Sequence, residues 1–339
     1  MDTMTTKKFK SIDLFAGIGG IRLGFEQAFD NDIETVFVSE IDEKAKETYQ
    51  SNFGIEPTIN GDITKISIEE VPAFDICLAG FPCQAFSVAG KRLGFEDTRG
   101  TLFYDVAKIC KKHQPKVIFC ENVKGLVNHN KGRTYQTIRN TLEEIGYTVY
   151  EQVLNSKHFG VPQQRERLYI VAFRNDIDSS SFRFPAPTDP TKRLKDILEE
   201  NPVDAKYYLS KKYFHALKEH RRRHQEKGHG FGYEIIKENG ISNTLVCGGS
   251  GREKNLIIDP RQTDFSNVKN KGEVNDKHIR TLTPREMARL QGFPEDFILP
   301  VADTHLYKQF GNSVTVPVIR AIAEEIKIIL ENNKEGESI

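Results

Sequence analysis

Five short apolar runs punctuate the first 175 residues: FKSIDLF (9–15), TVFVSE (35–40), FDICLAG (74–80), KVIFCE (116–121) and LYIVAF (168–173). Each is bounded by turn-forming or charged residues and predicts a buried strand. Helical patterns fill the intervals at 42–52, 101–113 and 133–145, and a further helix is predicted after Gly20. Alternating strands and helices predict an α/β fold: a mixed, mostly parallel sheet with helices on both faces. The texture changes near residue 176. FRFPAPTDPTK (182–192) is proline-rich and reads as a linker. Residues 195–308 are polar, with glycine clusters at 228–232 and 248–251, and predict a smaller β-rich domain of short strands and long loops. A last helix is predicted over 313–331, where Val314, Val318, Ile319, Ile322, Ile326, Ile329 and Leu330 form an apolar face that must dock on the first domain. The expected division is 1–192 with 310–335 as one domain and 193–309 as the other.

The first strand runs directly into Ala16-Gly17-Ile18-Gly19-Gly20. Glycines at a strand-to-helix turn let the backbone approach a ligand at the helix N-terminus. Glu40 ends the next strand, 20 residues after Gly20, the spacing at which a carboxylate accepts from ribose hydroxyls. Arg22 stands where a dinucleotide fingerprint would have its third glycine. A nucleoside cofactor without phosphates, such as S-adenosylmethionine, therefore fits better than a dinucleotide, with Asp62 placed to take the adenine amine.

FDICLAG leads into Gly80-Phe81-Pro82-Cys83-Gln84, a polar, proline-fixed loop at a strand C-terminus, where open α/β sheets bind ligands. Cys77, Cys110 and Cys120 sit inside apolar runs and read as small buried hydrophobes. Cys83 does not. The next strand ends in Glu121-Asn122-Val123, and a third is flanked by Gln163-Gln164-Arg165-Glu166-Arg167. A thiol, a carboxylate and arginines are thus expected at one sheet edge. None of the nine histidines has the spacing of a protease base. Arginines can lower a thiol's pKa instead.

Length supports two domains, since 339 residues exceed what one core usually holds. Five cysteines without a CxxC pair argue against a disulfide framework or a structural zinc, so no metal is expected. No apolar run approaches the length of a membrane span, and MDTMTTKKFKSIDLF has no signal-peptide core, so a cytoplasmic location is expected. The 48 basic and 48 acidic residues cancel, so overall charge does not announce a nucleic-acid partner. Locally, residues 206–229 hold eight Lys or Arg against Glu219 and Glu226, which reads either as a solvated helix face or as a phosphate-contacting patch.

DLFAGIGG (13–20), GFPCQAFS (80–87), ENV (121–123), QQRER (163–167), RTLTPREMARLQGFP (280–294) and QFGNSVTVPV (309–318) resemble, in order, the motif set of cytosine-C5 DNA methyltransferases. The resemblance covers nearly the whole chain apart from about 195–275. That stretch is similar to the target-recognition segments of the Dcm-type branch, which act within CCWGG, CCNGG or CCGG sites.

The resemblance implies a Rossmann-like S-adenosylmethionine-dependent fold acting on double-stranded DNA, in a bacterial restriction-modification system or as an orphan modification enzyme, monomeric on DNA. It implies Cys83 as the nucleophile at C6 of a flipped cytosine, Glu121 as its partner at N3, and Arg167 with Arg165 as groups that bind O2 and orient Glu121. The cofactor contacts carried over are Phe15, Gly17, Gly19, Gly20, Glu40, Ile41, Asp62, Ile63, Phe81, Leu102, Asn312 and Ser313. Ile41 stands where relatives often have an aromatic residue. Residues 84–100 resemble the family's loop that closes over DNA. For DNA, Arg221, Arg222 and Arg223 are expected on phosphates, and Thr244, Leu245 and Arg252 at base edges. A tRNA methyltransferase of the same family, a non-catalytic DNA-binding protein and a nicotinamide-dependent enzyme are the competing readings.

Overall fold

The computed structural model describes residues 9–82, 101–230, 232–247, 252–266 and 272–335. The chain divides into two compact units: Met1–Asn155, Glu166–Pro187 and Val316–Ile339 form one, and Ser156–Arg165 with Thr188–Thr315 form the other.

The first unit is built on strands β1 (Phe9–Leu14), β2 (Ile33–Ser39), β3 (Ile59–Asn60), β4 (Ile76–Ala79), β5 (Val117–Val123), β6 (Tyr147–Asn155) and, after a two-residue β7 that belongs to the other unit, β8 (Glu166–Arg174). Among the described residues they form a seven-stranded sheet in the order β3-β2-β1-β4-β5-β8-β6. The first five pair in parallel, whereas β8 runs antiparallel to both β5 and β6. The helices are α1 (Gly20–Ala28), α2 (Glu43–Phe53), α3 (Leu102–His113), α4 (Arg133–Glu144) and the C-terminal α8 (Val316–Glu335).

Alternation along β5 shows the layering. Ile118 and Cys120 are buried with Phe103, Ile109, Ile138 and Leu142 of α3 and α4. Phe119, between them, points the other way and meets Phe25 of α1 edge-on at 5.2 Å. Helices therefore cover both faces. The apolar stripe of α8 is buried as its spacing predicts, and it packs on α1 so closely that a Cβ on Gly24 would lie 2.6 Å from Ile319. The apolar runs announced neither the two-residue β3 nor β6. Strand β6 is an edge strand with exposed Glu151 and Gln152, so its pattern is too polar to read as buried.

The second unit departs from the β-rich expectation. Its strands β7 (Gln163–Gln164), β9 (Ser242–Asn243), β10 (Ile257–Ile258) and β11 (Ile279–Arg280) have two residues each. The longest element is the helix α5 (Lys211–Glu226), accompanied by α6 (Pro284–Leu290) and α7 (Asp303–Asn312). Its boundaries also differ from the expected ones, because residues 156–165, 188–192 and 310–315 group with it. The reason is visible at Gln163 and Arg165: Gln163 hydrogen-bonds Leu290 and Leu245, and Arg165 holds Leu245 and Ser313.

Buried polar contacts accompany the apolar core of this unit, which includes Leu209, Phe214, Leu256 and Ile279. Arg280, wholly inaccessible, grips both oxygens of Glu286 at 2.7 Å and Asp259 at 2.9 Å. Glu286 also caps α6 by accepting from the Thr283 N–H at 2.8 Å. Burial raises the Asp259 carboxyl, yet the hydrogen bonds from Arg261 and Arg280 outweigh it and hold the group far below the usual carboxylate range.

Removing one partner of such a set leaves the other charge buried and uncompensated. Arg280→Met is expected to lower stability in urea unfolding by about 3–5 kcal/mol. Arg222→Ala, which breaks exposed pairs to Glu219 and Glu226, should leave stability close to that of the parent. Equal effects of the two would show that the buried set does not support the unit.

Candidate active site

After Leu14 the chain turns through Phe15, Gly17 and Gly19, with φ of 57°, 56° and 82°, and Gly20 opens α1. At Gly19 a Cβ would lie 2.2 Å from the Phe53 ring, so both backbone angle and space demand glycine. The turn reaches across to β2. The Gly17 N–H donates to Glu40 Oε2 and the Asp42 N–H to Glu40 Oε1, both at 2.7 Å. Glu40 is thereby held in one orientation at the strand end. Ile41, next to it, is 69% exposed and offers an open apolar surface. Asp62 accepts from the Thr64 hydroxyl at 2.7 Å and the Thr64 N–H at 3.0 Å, bonds that hold its carboxyl below the usual range. Ile63 is buried beside it, Phe81 packs on Phe103 with ring centres 5.3 Å apart, and Leu102 begins α3. Most of these residues follow the carboxyl ends of β1, β2, β3 and β4, and β1 and β4 flank the point where the strand order reverses, the usual ligand crevice of such sheets.

Beneath the turn lies a feature that the sequence reading missed. Asp13, near the end of β1, is 1% exposed. Its Oδ2 accepts from the Tyr49 hydroxyl at 3.3 Å, and its Oδ1 has no hydrogen-bond partner among the described residues. Burial pushes the carboxyl up to about 7, against the opposing pull of Arg22 and Tyr49. Arg22 donates to the Tyr49 hydroxyl at 3.1 Å, pairs with Glu26 at 2.6 Å, and lies over the Phe53 ring at 4.4 Å. The residue standing in place of a third glycine is thus part of the support under the turn. The available signal was a carboxylate inside an apolar strand.

Cys83 and residues 84–100 lie outside the described residues. The chain leading to them is pinned at Phe81, whose carbonyl accepts from the buried Asn122 amide at 2.8 Å. Asn122 in turn accepts from the Val123 N–H at 2.9 Å. This tether was also missed, although Asn122 stands in the ENV motif. Glu121, one residue earlier on β5, pairs with the Nε of Arg167 at 3.2 Å, and both side chains are about one-eighth exposed (12% and 13%). In the antiparallel register Val123 faces Arg167, so the start of β8 lies at the end of β5.

Arg165 is placed differently. It is 2% exposed and belongs to the second unit, where it donates to the carbonyls of Leu245, at 2.8 Å, and Ser313. Asn312 ends α7 and is exposed, and the Ser313 carbonyl also accepts from Gln291.

The three consecutive arginines of α5 have three environments. Arg221 lies over Tyr233 at 5.2 Å, Arg222 bridges Glu219 and Glu226, and Arg223 is exposed, with only a long contact to the Glu219 carbonyl at 3.4 Å. Helical geometry points successive side chains about 100° apart, so a run of three cannot form one row. The Thr244 hydroxyl donates to the Gln164 carbonyl at 2.7 Å, and Leu245 is 3% exposed with its N–H bound to Gln163. Arg252 opens a 3-10 turn (Arg252–Asn255), and its side chain lies outside the described residues.

Residues 9–328 match the family model described as C-5 cytosine-specific DNA methylase. The chain is 56% identical over 328 residues to the type II methyltransferase M.HpaII of Haemophilus parainfluenzae, covering 94% of this chain and 89% of that protein. It is 48% identical over 333 residues to M1.ScrFI of Lactococcus lactis subsp. cremoris, covering 97% and 81%. Among solved structures it is similar to the S. pombe Dnmt2 methyltransferase, with a TM-score of 0.70 and 20% identity over 96% of this chain and 99% of that one. At that identity the likeness concerns the fold. No helix among the described residues is long and apolar enough to cross a membrane.

The buried Asp13 carboxyl makes stability depend on pH in a defined direction. Its folded value is raised from 3.8 to about 7, so the folded state holds a proton that the unfolded state releases, and stability falls as pH rises between those values. Asp13→Asn removes this dependence. The stability of the variant relative to the parent should therefore rise from pH 4 to pH 7, by up to about 4 kcal/mol, and level off above. Urea unfolding of both proteins across that range checks this, and a constant difference would show that Asp13 ionises normally.

Proposed function

Since the chain belongs to the C-5 cytosine-specific DNA methylase family, we propose that it transfers a methyl group from S-adenosylmethionine to C5 of a cytosine in a short GC-rich duplex site, of CCGG or CCNGG type, as the modification enzyme of a type II system. The observation that carries the chemistry is the Glu121–Arg167 pair, set beside the tethered Phe81-Pro82 approach to Cys83.

C5 of cytosine is a poor nucleophile. Attack of the Cys83 thiolate at C6 turns the ring into an enamine, and C5 becomes reactive. Charge then develops at N3, where Glu121 holds a proton, while its other oxygen accepts from the exocyclic amine. Arg167 keeps the Glu121 carboxyl aligned and presents a donor toward O2. Once C5 carries the methyl group, its proton leaves to a base, the Cys83–C6 bond breaks with release of the thiolate, and N3 returns its proton to Glu121. The target base reaches these groups only after rotating out of the duplex.

The residues around the glycine turn fit the proposed cofactor. Glu40, with its carboxylate already oriented by two backbone N–H groups, would hold the ribose hydroxyls, Asp62 the adenine amine, and Ile41 the adenine face. Arg22 is committed to Glu26 and Tyr49, and so leaves no cation for a pyrophosphate. When bound, the sulfonium supplies the methyl group in electrophilic form. Asn312 and Ser313 are assigned to the same ligand from the family motif. The first unit is read as catalytic and the second as the part that reads the site. In the second, the exposed Arg223 and the rim of α5 would meet phosphates.

Bisulfite sequencing of DNA from cells expressing the chain should show full methylation at one short GC-rich sequence. Absence of C5 methylation there, or a preference of the purified protein for tRNA over duplex DNA, would refute the reading. Cys83→Ser should lose turnover, and the parent alone should form a denaturation-stable adduct with duplex carrying 5-fluorocytosine, because fluorine cannot leave C5 as a cation. Glu121→Gln should slow methylation by about 10²–10⁴-fold with DNA affinity little changed, the amount general acid assistance contributes. A rate within twofold of the parent would show that no proton is needed at N3.

A further inference from the structure

The second unit contains an open groove of about 480 Å³ whose lining includes Gln164, Arg221, Tyr233, Glu234, Asn243 and Lys254. Among the described residues one carboxylate stands in it, with cationic and neutral polar groups around it. In a surface that meets a polyanion, an exposed carboxylate is unfavourable unless it accepts from a donor on that partner. Bases carry such donors and phosphates do not.

Glu234 is held as a fixed acceptor. Its N–H donates to the Glu253 carbonyl at 2.8 Å, and its carbonyl accepts from the Leu256 N–H at 3.0 Å, so its backbone is locked on both sides. Its Oε2 accepts from the Asn243 amide at 2.9 Å. Asn243 is itself fixed: its other amide hydrogen goes to the Lys254 carbonyl at 2.8 Å, and its N–H goes to Asn255 at 2.8 Å. Among the described residues Glu234 forms no ion pair, and its side chain is exposed. One carboxylate oxygen is thus positioned by a preorganised amide, and the exposed side chain lines the groove.

We propose that Glu234 is a specificity-determining residue, its carboxylate accepting a hydrogen bond from the N4 amine of a stacked cytosine in the major groove of the recognition site. This rests on the reading of the chain as a duplex-DNA methyltransferase. Two bases present an amine in the major groove. Adenine sets its N7 lone pair beside that amine, which repels a carboxylate, whereas cytosine sets only a C5–H there. The guanine paired with that cytosine offers O6 and N7 acceptors, and Lys254 on the same groove is a cation for them, while Arg221 is held on Tyr233. The groove therefore carries an acceptor and donors complementary to one G·C pair.

The test uses the full-length protein and a set of duplexes, in which each base pair of the methylated site is replaced in turn. A second set replaces each non-target cytosine by its 2-pyrimidinone analogue, which lacks the 4-amino group. For the parent, kcat/KM should fall about 10- to 100-fold when the amine is removed at one cytosine position. For Glu234→Gln, kcat/KM on the intact site should fall by a similar factor, and removal of that amine should then cost little more. Glu234→Ala should behave likewise, with circular dichroism confirming that both variants fold. The proposal is overturned if the variants discriminate among base pairs as the parent does, or if the variant and analogue losses multiply at every position. If the parent methylates none of the duplexes, it is the functional reading that fails instead.

Discussion

The proposed chemistry depends on a reversal of strand direction. Six of the seven strands run in one direction, and the carboxyl ends of β1, β2, β4 and β5 carry the glycine turn, Glu40, the approach to Cys83 and Glu121. Another parallel strand would have delivered its C-terminal residues to that edge and its N-terminal arginine to the opposite one. Because β8 is antiparallel to β5, its first residues meet the last residues of β5, and Arg167 reaches Glu121. The pair is nearly buried, and the low local polarity strengthens both their attraction and their mutual orientation. That orientation is what a group working on one edge of a flat base requires.

A second constraint is electrostatic and lies under the cofactor turn. Asp13, Arg22, Tyr49 and Glu26 form a connected set beneath a loop whose own partner is Glu40. The set holds two carboxyl groups, Asp13 and Glu26, to one guanidinium, and Asp13 stays protonated until about neutral pH. With Asp13 neutral, Glu26 offsets Arg22, and the set presents no net positive charge to the turn. The set also explains why an arginine is tolerated in a turn of glycines: its charge is turned inward, onto a tyrosine and a glutamate, and is not offered to a ligand.

The second unit adds buried arginines to its apolar contacts. Arg280 joins Asp259 and Glu286, and Arg165 joins two backbone carbonyls. Such contacts are directional. Together with the buried apolar residues they hold long loops in one conformation, and so leave the exposed positions of those loops available for recognition. Glu234 and Asn243 are fixed by the same device, through backbone and amide hydrogen bonds from 253–256.

The sequence by itself determined the periodic elements and the motif order. The apolar runs at 9–15, 35–40, 74–80, 116–121 and 168–173 coincide with β1, β2, β4, β5 and β8, because buried strands must be apolar on both faces. The glycine turn, Glu40, Glu121 and Arg167 were legible for the same local reason, since each sits at a strand end. Tertiary structure alone decided which way β8 runs, since an apolar strand reads the same in both directions. Only the fold separated Arg165 from Arg167: two residues apart on a strand share a face, and nothing in the spacing says that one guanidinium meets a carboxylate while the other is enclosed by carbonyls from 80 and 148 residues away. The same holds for the second unit, whose loops lack periodicity. Glu234 becomes distinct from other surface glutamates only once Asn243, Glu253 and Leu256, distant along the chain, close around it.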